Sequence, residues 1–180
     1  MATVTALRER PRGCVDVELD GVPWRTLPAD AVVRSGLLVG RALDRTAART
    51  LARELRRSSA LTRATRALTH RDRSQAAVRH RLTAAGIPGQ AADDAIATLE
   101  RSGILDDARA AATRAQGLAG RGYGDAAVRL TLEGEGFAGE ALEAAIGGLM
   151  PEHERAGAFL AAGRSQRWLA ARGFEVASDT

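Results

Sequence analysis

The stretch GIPGQAADDAIATL, residues 86–99, recurs fifty positions later as GFAGEALEAAIGGL, residues 136–149. A shorter copy, RGFEVASDT, occupies residues 172–180. Overlaying 77–99 on 127–149 gives ten identical positions: Ala77, Val78, Arg79, Leu82, Gly86, Gly89, Ala91, Ala95, Ile96 and Leu99. Repetition with this period is typical of helical arrays, in which each unit buries its apolar face against its neighbour.

The repeated residues predict how each unit is built. Gly86 and Gly136 suit the left-handed position after a helix, and Ile87 and Phe137 supply the hydrophobic contact that accompanies such an end. Apolar residues then recur at helical spacing, at Ala92, Ala95, Ile96 and Leu99 and again at Leu142, Ala145, Ile146 and Leu149. Val78 and Leu82, matched by Val128 and Leu132, predict the preceding helix, and Leu169, Gly173 and Phe174 restart the pattern. The unit is therefore three short helices, used about three times.

The first part of the chain has a different pattern. In CVDVELD apolar and polar residues alternate, which places Val15, Val17 and Leu19 on one face of a strand. Asp20-Gly21 favours a two-residue hairpin turn, and Pro23 predicts that the returning strand VPWRTL lies at a sheet edge. We expect Trp24 to anchor this hairpin on the helices. Pro28 and Gly36 delimit a short helix, and Asp44 is a candidate N-cap of a longer one. In that longer helix an apolar stripe is expected at Ala48, Leu51, Ala52 and Leu55, with an end or a kink at Ser58-Ser59.

These patterns predict a mainly α fold of tandem three-helix repeats, about three in number, forming an elongated curved array with a small N-terminal β-hairpin or three-strand element. The predicted divisions are an N-terminal hairpin and short helix at 1–43 and a basic helical segment leading into repeat 1 at 44–73. The rest of repeat 1 is placed at 74–104, repeat 2 at 105–150 and a truncated repeat 3 at 151–180.

Charge is unevenly distributed along the chain. The 180 residues carry a net charge of +4 and contain no lysine, but 17 arginines and 8 acids fall in residues 1–90, against 9 arginines and 14 acids in residues 91–180. Between positions 45 and 81 there are 11 arginines and two acids, Glu54 and Asp72. This asymmetry indicates either a polyanionic or acidic partner, or a solvated helix rich in arginine because the genome is GC-rich.

No pattern in the sequence indicates catalysis. His70, His80 and His153 lack metal-ligand spacing, so no metal and no cofactor is expected. Asp93-Asp94 and Asp106-Asp107 stand at helix starts, where carboxylates cap and interact with the helix dipole. GRGYG, residues 120–124, lacks the context of a phosphate-binding loop, so its glycines are expected to end one helix and begin the next. With one cysteine, Cys14, and no apolar run that could span a membrane, a cytoplasmic monomer is expected.

Arginines recur at comparable places in the repeats and are the candidate binding residues. Arginine forks match phosphates and carboxylates, and a neighbouring aromatic ring can stack on a base or anchor a protein partner, although Trp168 also suits a core position. The candidates are Arg71, Arg73, Arg79 and Arg81 in the first repeat, Arg121, Tyr123 and Arg129 in the second, and Arg164 and Arg167 in the third.

Four segments together resemble the RecX regulators of the bacterial recombinase RecA. VDVELDGVPWRTLPADAVVRSGLLVGRALD (15–44) is similar to the N-terminal hairpin and helix of that family, and ALTHRDRSQAAVRHRLTAAGI (67–87) to its first-repeat signature. LERSGILDDARAA (99–111) and RWLAARGF (167–174) resemble its later motifs. Ala110 departs from the pattern, because the family usually carries an aromatic residue there, and GRGYGDAA is less basic than usual.

The resemblance implies a modulator without catalysis of its own. Such a protein binds the RecA–single-stranded DNA filament, lies along its groove, and inhibits ATP hydrolysis and strand exchange, which regulates recombination and DNA repair. Two other interpretations stay open: a DNA-binding architectural or regulatory protein that acts without RecA, through single- or double-stranded DNA, and a helical scaffold for an acidic protein.

Overall fold

The computed structural model describes residues 1–69 and 72–175. The predicted fold class, mainly helical with a small N-terminal β element, is confirmed. The strands are β1 (Ala2–Arg10), β2 (Cys14–Leu19), β3 (Val22–Pro28) and β4 (Ala42–Leu43). The helices are α1 (Ala29–Ser35), α2 (Arg45–Leu68), α3 (Gln75–Ala84), α4 (Gly89–Arg101), α5 (Asp107–Gly120), α6 (Asp125–Gly134), α7 (Gly139–Gly147), α8 (Glu152–Ala161) and α9 (Gln166–Ala170). Within the described ranges, none of these helices has both the length and the apolar character needed to cross a bilayer.

The N-terminal sheet is antiparallel, with the strand order β3-β2-β1-β4. Asp20 and Gly21, with φ values of 50° and 80°, form the predicted turn between β2 and β3, because a type I′ turn needs positive φ at both central positions. Pro23 lies on the edge strand β3, as predicted, where its missing N–H breaks no ladder. Val15 and Val17 face a core that contains residues of β1, β3, α1 and α2, so the sheet packs on these helices.

The expected anchoring role of Trp24 is wrong. A register shift pairs Val17 with Arg25 and Glu18 with Pro23, which leaves Trp24 as the extra residue of a bulge. Its side chain is 37% exposed, with the Arg25 guanidinium 5.4 Å from its ring centre. Leu27 enters the core instead, so the contact between β3 and the helices is aliphatic.

Helix α2 continues without interruption over 24 residues, so the expected end or kink at Ser58-Ser59 is wrong. The Ser58 hydroxyl donates to Asp30 Oδ1 of α1 at 2.9 Å, a tertiary contact that uses the hydroxyl without opening the helix. Asp44 caps the first turn as predicted, because its carboxylate accepts the Ala47 N–H at 2.7 Å.

The buried face of α2 differs from the expected apolar stripe. Leu51 is buried as expected, but Ala48 is exposed, and Ala47, Glu54, Ser58, Ala60 and Ala64 are buried. Polar side chains stand on the buried face, which a search for apolar residues at helical spacing does not detect. The exposed arginines of α2 lie on the side of the helix opposite to this buried face.

The chain forms two compact units. The first comprises residues 1–66 and 81–99 and contains the sheet, α1 and most of α2 and α4. Its sheet core contains Val4, Val17, Leu27, Val32 and Leu51, and a second cluster joins Ala60 of α2 to Ala91 and Ala95 of α4. The second unit comprises residues 67–80 and those from Glu100 onward, with a core formed by α5, α6 and α7.

The repeated pattern corresponds to repeated packing. Val78, Leu82, Val128 and Leu132 are fully buried. Gly86, Gly136 and Gly173 have φ values of 72°, 86° and 77°, so each left-handed residue predicted after a helix is confirmed. The predicted apolar positions are buried or half-buried, at Ala92, Ala95, Ile96 and Leu99 of α4, at Leu142, Ala145 and Ile146 of α7, and at Leu149 just after α7.

Candidate partner-binding surface

In the second unit, an acidic residue at the start of one helix caps the start of another helix in two places. The Asp107 carboxylate, at the start of α5, accepts the Gln75 N–H at the start of α3 at 2.9 Å. In the same way Glu152, at the start of α8, accepts the Asp125 N–H at the start of α6 at 2.6 Å. Asp106 caps its own helix as predicted, through the Arg109 N–H at 3.0 Å. Each opening acid therefore stabilises the second helix of the preceding repeat.

Asp107 titrates differently from an exposed aspartate. Partial burial raises the pKa of its carboxyl, and the Gln75 N–H opposes that effect without cancelling it. Glu100 and Asp106, whose charges repel a second carboxylate, also raise the pKa.

Glycines allow the ends of these helices to approach closely. The Gly124 N–H donates to the Arg172 carbonyl at 2.9 Å, and a Cβ on Gly124 would overlap the Gly173 backbone. A Cβ on Gly173 would lie 2.8 Å from the Ala127 Cβ. Thus the turn after α9 packs against the start of α6 with no space for a side chain, as the turn at Gly136 packs on Ser74, whose hydroxyl donates to the Glu135 carbonyl at 2.7 Å.

This packing brings together an Arg–aromatic cluster, formed by Arg121, Tyr123, Arg164, Trp168 and Arg172. The Arg172 guanidinium lies 5.1 Å from the Tyr123 ring centre and 4.4 Å from that of Trp168. Arg172 Nη1 also donates to the Arg121 carbonyl at 2.9 Å, and the Arg164 guanidinium lies 5.1 Å from the Trp168 ring. Stacking on rings and a backbone acceptor thus hold these guanidinium groups in place before any ligand binds.

The Trp168 ring is itself held by close packing. It is half-buried, with its ring centre 5.4 Å from that of Phe159. A Cβ on Gly122, whose φ is 83°, would overlap the Trp168 ring. The glycines of GRGYG therefore do more than end α5 and begin α6, because the middle one admits the indole. Trp168 therefore packs within the fold on Phe159 and Gly122, while the guanidiniums of Arg164 and Arg172 lie over its ring.

The arginines of the cluster carry uncompensated charge. Among the residues that the structure describes, Arg121, Arg164 and Arg172 form no ion pair with a carboxylate, and neither does Arg167, which precedes Trp168 in α9. Arg121, Arg164 and Arg167 are exposed. Since a guanidinium has five N–H donors and at most one of them is used here, the cluster can bind carboxylates or phosphates through paired hydrogen bonds.

A largely apolar groove of about 330 Å³ lies beside the cluster. Phe159 connects the two, because it lines the groove and contacts Trp168. Small residues form much of the lining, and Met150, at the rim, is 58% exposed. The lining residues are Gln116, Ala119, Gly120, Gly148, Leu149, Met150, Arg155, Ala158 and Phe159.

The buried side chain of Arg155 holds the segments around the groove in place. It is 6% exposed and donates to the Met150 and Tyr123 carbonyls, at 2.9 Å each, and to the Asp125 carboxylate. Its guanidinium also lies 5.6 Å from the Phe174 ring. With every side of the buried charge in contact with an acceptor or a ring, Arg155 fixes the loop that carries Tyr123.

The second unit contains a cavity beside Ala110. Ala110 is buried, and beside it lies a cavity of about 280 Å³, lined also by Asp72, Thr113, Arg114, Gly117, Glu135 and Phe137. The Arg114 guanidinium binds both oxygens of Glu135, at 3.0 to 3.1 Å from Nε and 2.6 Å from Nη2. The alanine that departs from the family pattern therefore leaves unfilled space.

The remaining predicted residues are placed differently. Arg79 and Arg81 lie on the exposed side of α3, whereas Arg73 Nε donates to the Ala67 carbonyl at 2.9 Å. Arg129 forms a two-point pair with Glu143, with Nη2–Oε2 at 2.8 Å, which raises the pKa of Arg129 and lowers that of Glu143. Arg71 lies outside the described residues. The structure thus joins the candidates Arg121, Tyr123 and Arg164, while Glu143 already occupies the Arg129 fork.

Sequence reasoning missed Arg172 and Arg155. Arg172 stands in RWLAARGF, four residues after Trp168, a spacing that in a continuous helix would indicate a stacked pair, although α9 ends at Ala170 and Arg172 lies in the turn that follows. Nothing in the sequence distinguishes Arg155 from other surface arginines, because its acceptors come from residues distant in the chain.

Comparison with known proteins identifies the family of this chain. Residues 60–99 match the family model described as RecX, first three-helix domain, a range that contains the last third of α2, all of α3 and most of α4. The chain is 32% identical over 137 residues to the "Regulatory protein RecX" of Xanthomonas oryzae pv. oryzae, an alignment that covers 68% of this chain and 86% of that protein. The chain belongs to the RecX family.

A second RecX relative and a solved structure agree with this assignment. The "Regulatory protein RecX" of Stenotrophomonas maltophilia is 37% identical over 94 residues, which cover 52% of this chain and 58% of that protein. A crystal structure of regulatory protein RecX has the same fold, with a TM-score of 0.80, 18% identity, and coverage of 97% of this chain and 95% of the other. The chain is therefore a RecX-type regulatory protein with the RecX fold.

Proposed function

We propose that this protein binds the RecA–single-stranded DNA filament and inhibits its ATP hydrolysis and strand exchange, and so regulates recombination and DNA repair. In this proposal it acts as a cytoplasmic monomer and without catalysis of its own. Membership of the RecX family supports a regulatory role. The observation that carries the proposal is the Arg–aromatic cluster beside the apolar groove.

The composition of this surface favours a protein partner. A groove with an apolar lining, connected through Phe159 to a cluster whose arginines have no carboxylate partner in the described chain, complements a segment with an apolar residue and nearby acids. Arg79 and Arg81 on α3 provide a second exposed basic site. In a filament the same subunit recurs, so two modest contacts on one regulator gain strength by acting together.

The test is the DNA-dependent ATPase of RecA from the same organism. The protein should inhibit hydrolysis at ratios well below one per RecA subunit. The variant Arg121→Gln/Arg164→Gln/Arg167→Gln should require at least about tenfold more protein for half inhibition, because losing one charged hydrogen bond costs about 1.5–3 kcal/mol.

A second variant controls for the loss of three charges. Arg12→Gln/Arg34→Gln/Arg129→Gln removes two exposed arginines of the first unit and the one whose fork Glu143 already occupies. It should inhibit like the unaltered protein. Equal weakening by both variants would assign the effect to net charge rather than to the cluster. An ATPase unaffected at any ratio would refute filament regulation and favour a protein that acts on DNA without RecA.

A further inference from the structure

One wall of the cavity beside Ala110 is a single face of α5. Ala110, Arg114 and Gly117 line it at intervals of four and three residues, the spacing that keeps positions on the same side of a helix. The opposite wall contains Phe137, between α6 and α7, and Asp72, between α2 and α3. Because Ala110 has a short side chain and Gly117 has none, the space between the two walls stays open.

Hydrogen bonds hold these walls in place. The Arg114 guanidinium donates to both carboxylate oxygens of Glu135, which ties α5 to the connection between α6 and α7. The Ser74 hydroxyl donates to the Glu135 carbonyl at 2.7 Å, which ties the segment that carries Asp72 to the same connection. Ser74 is fully buried. The cavity is thus preformed, so a molecule that enters it does not have to order these segments.

The volume and the floor of the cavity suit one aromatic ring. The cavity measures about 280 Å³, and an engineered apolar cavity of about 150 Å³ already binds benzene. Its floor is apolar, because it is formed by the buried residues Ala110 and Phe137. The Phe137 ring offers a partner for offset or edge-to-face contact with a second ring. The remaining volume accepts a short chain attached to that ring.

The charges that line the cavity favour a positive group on this chain. Arg114 binds both oxygens of Glu135, so the two charges of this pair compensate each other. Asp72 is exposed, and its carboxylate forms no ion pair or hydrogen bond with any residue that the structure describes. A free carboxylate beside an apolar pocket can bind an ammonium group through a charge-assisted hydrogen bond.

We propose that the Ala110 cavity binds small aromatic amines, with the ring inside the cavity and an ammonium group on a short arm paired with Asp72. This inference goes beyond the proposed filament regulation and does not rest on it. A dissociation constant on the order of 1 mM is expected for a ligand of this size. Because all the lining residues belong to the second unit, the ligand should also stabilise that unit, increasingly with its concentration.

The experiment measures dissociation constants by ligand-detected NMR for three probes of similar length: phenethylamine, phenethyl alcohol and hydrocinnamate. Phenethylamine should bind about two- to fivefold more tightly than the alcohol, the range typical of ion pairs between exposed groups. Hydrocinnamate should bind more weakly than both. In Asp72→Asn the amine and the alcohol should bind equally. Glu140→Gln removes an exposed acid of α7 that does not line the cavity, and should keep the preference for the amine.

Two variants that fill the cavity test its location. Ala110→Phe should abolish binding of all three probes while raising the unfolding midpoint in urea. Gly117→Leu, at a helical position where no atom lies within 4 Å of the new Cβ, should weaken all three as well. Binding that survives in both variants would place the ring in the groove beside the Arg–aromatic cluster and overturn the proposal.

The preference among the probes tests the assignment of the ligand. Hydrocinnamate binding more tightly than phenethylamine would refute the role of Asp72. The same chemistry is present in a peptide with phenylalanine next to lysine, so a capped dipeptide of these residues is the fourth probe. Much tighter binding of the dipeptide would assign the cavity to a protein segment and rule out a free amine. These variants leave the Arg–aromatic cluster unaltered, so this proposal and filament regulation fail separately.

Discussion

Replacing Gly173 by alanine tests whether close backbone packing holds the Arg–aromatic cluster together. Two costs are expected. Alanine in the left-handed conformation, at φ 77°, costs about 1–2 kcal/mol. The new Cβ would also lie 2.8 Å from the Ala127 Cβ and 2.9 Å from the Ala127 nitrogen, which must move apart at about 1–3 kcal/mol. The free energy of unfolding of this region should therefore fall by about 2–5 kcal/mol.

Gly163→Ala separates the two costs. Gly163 has a similar φ of 84°, but no atom lies within 4 Å of its Cβ position. This variant should lose only the conformational part, about 1–2 kcal/mol.

The assay is urea unfolding followed by Trp168 fluorescence in a Trp24→Phe background, so that the emission reports the cluster alone. The midpoint for Gly173→Ala should be clearly below that for Gly163→Ala, and its native emission should shift toward that of an exposed indole. Equal midpoints would refute the idea that the turn after α9 is packed against α6 too closely for a side chain.

Two further predictions concern the second repeat. Ala110→Phe should raise the unfolding midpoint by the equivalent of about 0.5–2 kcal/mol, because the ring fills the cavity beside Ala110; a lower midpoint in urea would show that the cavity does not admit a ring. Asp107→Asn should stabilise the protein increasingly as pH rises. Because the pKa of Asp107 is raised in the folded state, protonated Asp107 contributes fully to folding stability below the ordinary pKa of 3.8, and this contribution is lost as pH rises through the raised value. The asparagine side chain does not ionise and keeps an acceptor for the Gln75 N–H. Urea midpoints of both proteins at about pH 4 and pH 7 check this, and a constant difference between them would contradict it.

The parts of the fold that follow from neighbouring residues could be predicted from the sequence. The Asp20-Gly21 turn, the Asp44 cap and the glycines at 86, 136 and 173 each depend on backbone conformation within a few residues. The repeat itself was visible because the same local pattern occurs again. These are features for which a residue type and its position nearly determine the conformation.

The predictions that were wrong concern features that depend on residues distant in the chain. Ser58 does not break α2, because Asp30, distant in the chain, accepts its hydroxyl. Trp24 faces outward because a bulge in the pairing with β2 changes its side of the sheet. In the candidate site, Arg121, Tyr123 and Arg164 were identified by type and place. The sequence could not show that Arg172 stacks between two rings or that Glu143 binds Arg129, since both depend on tertiary packing.

The two acids that cap earlier helices have a consequence for synthesis on the ribosome. The N terminus of α3 obtains its acceptor from Asp107, 32 residues later, and that of α6 obtains its acceptor from Glu152, 27 residues later. In a nascent chain that has just completed α3 or α6, the N–H of Gln75 or of Asp125 therefore has only water as its acceptor until the next repeat has left the exit tunnel, although Ser74 already caps Ala77 of α3. Folding of the second unit is completed from its C-terminal side, so a pause in translation between these helices prolongs the least stable stage of its biogenesis.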